Sequence, residues 1–156
     1  MLEPGSHAPD FTLPDADMAL HKLSKLKGKV VVLYFYPKDD TPGCTMEALD
    51  FSDLQPEFEA ADTEVLGISR DTCISHGAFR DKYGLTLRLL ADPDGEACEA
   101  YGVWQEKEAH GEKRMGIVRS TFVIDKQGLI RHALSDVKPK GHAAVVLGLV
   151  QALSVS

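Results

Sequence analysis

The sequence predicts a three-layer α/β fold built on a central mixed β-sheet. Three observations carry the prediction: a continuous β-branched and aromatic run at residues 30–36, a second apolar run at Thr63–Ser69 beyond a helical pattern, and a hairpin-plus-helix pattern at residues 120–153. Alternating strands and helices give parallel strands with helices on both faces, and a terminal hairpin adds antiparallel ones.

The run at residues 30–36, Val-Val-Val-Leu-Tyr-Phe-Tyr, is too short for a typical helix and apolar throughout, so it reads as a strand buried on both faces. Turn residues follow, and residues 45–54 place Ala48, Phe51 and Leu54 on one helical face. Pro56 ends or kinks that helix, and a short turn with Phe58 resumes after it. Thr63–Ser69 is a second buried strand, residues 75–83 are a short helix stopped by Gly84, and residues 87–90 are a third strand. Asp92-Pro-Asp-Gly leads into another helix through Tyr101. Residues 120–125 and 129–134, joined by the turn residues Lys126-Gln-Gly128, read as a β-hairpin. Residues 141–153 close the chain as an amphipathic helix whose apolar residues include Val145, Val146, Leu149, Val150 and Leu153. The arrangement is thioredoxin-like. In such sheets ligands bind beyond the carboxyl ends of the strands, and the loop after Tyr36 is one such end.

The length of 156 residues suits one domain over 1–156 with a sizeable core. A net charge of -7, with basic residues interspersed among acidic ones, argues against a nucleic-acid partner. The N-terminus lacks a basic segment and apolar stretch of secretory type, and no run approaches the roughly 18 apolar residues of a membrane span. A soluble, cytoplasmic protein is expected, with no membrane association. Three widely spaced cysteines, Cys44, Cys73 and Cys98, do not suit a secreted disulfide framework and fit a reducing compartment with at least one functional thiol.

Cys44 follows Thr41-Pro-Gly at the expected first turn of the helix after a buried strand. A thiolate is easiest to form there, because free backbone N–H groups and the positive end of the helix dipole favour an anion. Dithiol exchangers carry C-x-x-C at this point, but the flanking positions here are Thr41 and Glu47, so exchange is disfavoured. A Thr41 hydroxyl can serve thiolate and substrate oxygen, or cap the helix. Glu47 can bind a charge near the site or complement the helix N-terminus. Cys73 and His76 stand three apart with no second pair at ligand spacing, so no metal is expected. His7, His21, His110, His132 and His142 read as surface residues.

The segment Pro37-x-x-x-Thr41-x-x-Cys44 resembles the peroxiredoxin active-site motif, and its surroundings are similar to the bacterioferritin-comigratory, or peroxiredoxin Q, subfamily. The similarity continues through Gly67-Ile-Ser-Arg-Asp71, Lys82-Tyr-Gly-Leu85, Tyr101-Gly-Val103 and Arg119-Ser-Thr-Phe-Val-Ile-Asp125. The resemblance implies a thiol-dependent peroxidase active on hydrogen peroxide and organic hydroperoxides. Cys44 is then the peroxidatic nucleophile, Thr41 orients the peroxide, Pro37 shields the thiolate, and Arg119 supplies a guanidinium. It implies no cofactor and a thioredoxin or other thiol reductant as partner; no exposed apolar stripe demands a second copy, so a monomer is expected. A binding module of the same fold without turnover is the competing class.

Many subfamily members carry a resolving cysteine five residues after the peroxidatic one, where this chain has Leu49. Others place it in the helix that here contains Phe79-Arg80-Asp81, where no cysteine is expected. Cys73, near the start of that helix, is then the resolving candidate by a long-range disulfide. Cys98 reads as a core residue, and an external thiol is the remaining alternative.

Overall fold

In the computed structural model, which describes residues 1–154, the strand β3 (Val30–Phe35) is buried along its whole length and forms the centre of a five-stranded sheet. Its neighbour β4 (Thr63–Ser69) runs parallel to it, and β5 (Arg88–Ala91) parallel to β4. On the other side β8 (Ser120–Ile124) pairs antiparallel with β3, and β9 (Ile130–Leu134) completes the hairpin. The order β5-β4-β3-β8-β9 is the mixed thioredoxin-like sheet the sequence predicts.

The period-two alternation of β3 feeds two separate cores. Val30, Val32, Tyr34 and Tyr36 join one face, with Phe51 of α1 (Pro42–Asp53), Phe58 of α2 (Gln55–Ala60), Phe79 of α3 (Cys73–Tyr83) and Val146 of α5 (His142–Ser154). Val31, Leu33 and Phe35 join the other, with Tyr101, Phe122 and Cys98 of α4 (Glu96–Ala100). Tyr34 stacks on Phe51 at 4.6 Å between ring centres, fixing α1 over the carboxyl end of the sheet.

Two helices begin earlier than the periodicity predicts. Proline is tolerated in the first helical position, so α1 starts at Pro42 and takes Cys44 into its first turn. Thr72 caps α3, its Oγ1 accepting from Ser75 N at 3.1 Å, and the helix therefore starts at Cys73 and not at residue 75. Gly84 ends it at φ 64°, a left-handed conformation glycine adopts without strain. The helix containing Phe79-Arg80-Asp81 thus does contain a cysteine, at its first position.

Two small hairpins are absent from the sequence reading. β1 (Thr12–Pro14) pairs with β2 (Leu20–Lys22), and β6 (Trp104–Ala109) with β7 (Glu112–Ile117). The second carries few apolar residues to reveal a period, and closes through His110 and Gly111, both at positive φ as a two-residue turn demands. Among the described residues no helix is long and apolar enough to cross a membrane.

Candidate active site

Register brings the site together. Phe35, the last residue of β3, pairs with Ser120, the first of β8, so the loop leaving β3 and the residue entering β8 meet at one sheet end. That juxtaposes Cys44 and Arg119, separated by 75 residues in sequence.

Cys44 is the third residue of α1 and is 2% exposed. Arg119 Nη2 donates to its Sγ at 3.3 Å, while Nη1 donates to Glu47 Oε1 at 2.7 Å. One planar guanidinium thus spans a sulfur and a carboxylate, a geometry that lysine cannot reproduce. Burial opposes the Arg119 charge, but Glu47 and Cys44 outweigh it and raise its pKa. Glu47 is fully buried, one turn along α1 from Cys44. Burial pushes its carboxyl up to about 7, with Arg119 pulling the other way. Its second oxygen, Oε2, has no hydrogen-bond partner, and neither does the buried Tyr34 hydroxyl.

Thr41 has the extended backbone of an N-cap residue, but its side chain makes no cap hydrogen bond. Its Oγ1 donates to Lys38 O at 2.8 Å, which folds the loop on itself and leaves the oxygen lone pairs as acceptors. Pro37 lies exposed at the mouth of a cleft of about 520 Å³ that it lines with Gln105, Lys107, Val118, Arg119 and Pro139. Lys107, on β6, donates to Ile117 O at 2.5 Å and adds a second cation to this mouth. The side chain of Gly43 is missing where it would matter: a Cβ there would stand 3.3 Å from Arg119 Nη2 and 3.2 Å from Pro139 Cγ.

The three thiols are all free. Cys73 is half-buried on α3. Cys98 is wholly buried in the core on the opposite face of the sheet from Cys44, and burial together with Asp92 pushes its thiol far up. The sequence reading of Cys98 as a packing residue agrees with this position.

A family model described as AhpC/TSA matches residues 4–133. The chain belongs to the AhpC/TSA family. It is 48% identical over 147 residues to the putative peroxiredoxin bcp of Coxiella burnetii, covering 94% of this chain and 97% of that one. Peroxiredoxin Bcp of Bacillus subtilis is 44% identical over 153 residues, 98% of each chain. The bacterioferritin comigratory protein of Xanthomonas campestris, whose structure is described for alkyl peroxide reduction, superposes with a TM-score of 0.88 at 40% identity over 92% of both chains. This AhpC/TSA chain is thus a peroxiredoxin of the Bcp type, the family the motif resembles.

The reading of His142 as a surface residue needs correction. His142 is 5% exposed, its Nε2 lies 2.7 Å from Thr121 Oγ1, and burial plus Arg119 push its pKa down to about 4. It opens α5, whose apolar face pulls it under Phe51, 6.2 Å away between ring centres. His76 is fully buried on α3. Neither its carboxylate partner Asp39 nor Lys107 stands out in the sequence, because nothing local marks which loop residues turn inward.

Proposed function

We propose that Cys44 is the peroxidatic nucleophile of this thiol-dependent peroxidase, and that Arg119 is the group that prepares it. The Cys44 thiolate attacks one peroxide oxygen, forming an S–O bond and breaking the O–O bond. The other oxygen leaves with the electron pair and takes up a proton, giving water from hydrogen peroxide or an alcohol from an organic hydroperoxide. Cys44 is oxidised to sulfenic acid and the peroxide is reduced. The 3.3 Å Arg119–Cys44 contact carries this reading, since a fixed cation there favours the thiolate and the charge developing on the leaving oxygen.

Thr41 orients the peroxide through its hydroxyl, Pro37 screens the thiolate at the cleft mouth, and Glu47 aims the guanidinium. Cys73 resolves the sulfenic acid, its sulfur attacking that of Cys44 to release water and form a disulfide. Its place on α3 supports this role, and the sheet between Cys98 and Cys44 disfavours the alternative. Thioredoxin or another thiol reductant then restores both thiols, which suits a monomeric, single-domain protein of the cytoplasm. No metal or other cofactor enters any step.

Non-reducing mass spectrometry after one equivalent of hydrogen peroxide tests the scheme. A Cys44–Cys73 linkage is expected in the wild type, and Cys44→Ser is expected to abolish peroxide consumption. Full activity in that variant would overturn the assignment.

A further inference from the structure

Outside the Arg119 triad, the structure holds a second buried polar assembly at the loop that carries the site. Asp39 lies two residues after Pro37 and two before Thr41, and is 7% exposed. Its Oδ1 accepts from Tyr36 Oη at 2.6 Å, and its Oδ2 accepts from Ser75 Oγ at 2.8 Å and faces His76 Nδ1 at 2.7 Å. His76 Nε2 lies 2.9 Å from Leu90 O, so the ring is held at both of its nitrogens. The Asp39 backbone N donates to Asp71 Oδ2 at 2.9 Å. Asp39, Asp71 and His76 bring ligand atoms within 4.8 Å of one another, as a cation site would, but those atoms are already engaged by these hydrogen bonds.

The next residue extends the attachment. Asp40 sits at φ 57°, a left-handed conformation that most non-glycine residues avoid. It is held there by Lys82 Nζ at 2.8 Å and Tyr83 Oη at 2.5 Å. The loop before Cys44 is therefore clamped to both ends of α3. The clamp matters equally to α3, because His76 and Phe79 are the only two fully buried side chains of that helix.

We infer that Asp39 and His76 are positioning residues that hold the Pro37–Thr41 loop against α3, setting the geometry of Thr41 and Cys44 for reaction with peroxide and keeping α3 closed until that reaction is done. The inference rests on Cys44 being the peroxidatic thiol. Breaking the pair loosens the loop and the helix together. The first step is then slowed, and the opening of α3 that brings Cys73 toward Cys44 becomes easier.

Two substitutions at His76 separate positioning from packing. Asn presents an amide N–H near the place of Nδ1 and retains the bond to Asp39, whereas Leu fills space and retains no donor. The readouts are the second-order rate of Cys44 oxidation, from its linear dependence on hydrogen peroxide, and amide exchange across α3. His76→Leu is expected to lower the rate on the order of tenfold or more, as misplaced reacting groups do, and to accelerate α3 exchange. His76→Asn is expected to stay within about threefold of wild type, having lost one hydrogen bond. If His76→Leu proves too unstable, Tyr36→Phe removes one bond to Asp39 while keeping its shape, and slowing in the same direction is expected. Wild-type oxidation rates in His76→Leu or in Tyr36→Phe, or equal losses in the Asn and Leu variants, would overturn the inference. Failure of wild-type thiols to react with peroxide would instead sink the peroxidase reading beneath it.

Discussion

Arg119 addresses Cys44 and Glu47 with different nitrogens of one guanidinium, Nη2 to Sγ at 3.3 Å and Nη1 to Oε1 at 2.7 Å. The carboxylate fixes the plane of the fork, so the direction of the second N–H is set by a residue that never touches the sulfur. Charge and aim at Cys44 are therefore separable properties, and each is open to substitution.

Replacing Arg119 by Lys keeps a charge and loses the fork. The rate of reaction with hydrogen peroxide is expected to fall on the order of 10²-fold, the usual cost of one oriented donor at a reacting centre. Stopped-flow measurement of peroxide consumption checks this, and an unchanged rate would remove Arg119 from the chemistry.

Gly43→Ala tests aim alone. The new Cβ would stand 3.3 Å from Arg119 Nη2 and 3.2 Å from Pro139 Cγ, closer than ordinary contact with both. The guanidinium must shift by a few tenths of an ångström. A several-fold slower oxidation is expected with little change in the thermal midpoint; a slowing that vanishes in an Arg119→Lys background would place the effect on that contact.

Between about pH 5 and 6.5 two groups contribute to the pH dependence of stability with opposite sign. Glu47 is raised from 4.5 to about 7, so between those values the native state holds a proton the unfolded chain has lost, and stability falls as pH rises. His142 is lowered from 6.5 to about 4, so the unfolded chain holds the extra proton and stability rises with pH. Each slope reaches at most about 1.4 kcal/mol per pH unit, and they oppose one another between about pH 5 and 6.5. Urea midpoints across that window are expected to be nearly flat in the wild type, rising in Glu47→Gln and falling in His142→Asn. Parallel profiles in all three would contradict the assignment.

The cysteine variants divide the cycle. Cys73→Ser is expected to form sulfenic acid at Cys44 normally and to yield no intramolecular disulfide by mass spectrometry. Cys98→Ser is expected to turn over normally, because Cys98 lies on the far face of the sheet from Cys44, and to cost little stability, because the buried Asp92 carboxylate beside it can accept from the new hydroxyl. A disulfide in peroxide-treated Cys73→Ser would reassign the resolving thiol.

The sheet was legible because β3 is buried along its length and reads as an unbroken apolar run, and β4 and β8 are short, largely buried and rich in β-branched and aromatic residues. Cys44 and Thr41 stood out by their place at the start of a helix after a buried strand, and Pro37 and Arg119 through the resemblance alone, although only the β3–β8 register explains why Arg119 reaches Cys44. The β6–β7 hairpin escaped notice because its exposed strands have no apolar period. His76 and His142 escaped because their burial depends on partners far along the chain, Asp39 and Thr121, that no local pattern joins to them. The start of α3 was missed because Thr72 caps the helix one residue before Cys73.

The position of Cys98 gives the protein a silent witness. Buried on α4 in the cluster that also holds Tyr101 and Phe122, it meets an alkylating reagent only when that core opens. Cys73 and Cys44 respond to much smaller openings near the surface. The labelling rate at Cys98 therefore reports the opening of that core, against which the motion of Cys44 and Cys73 can be timed within the same molecule.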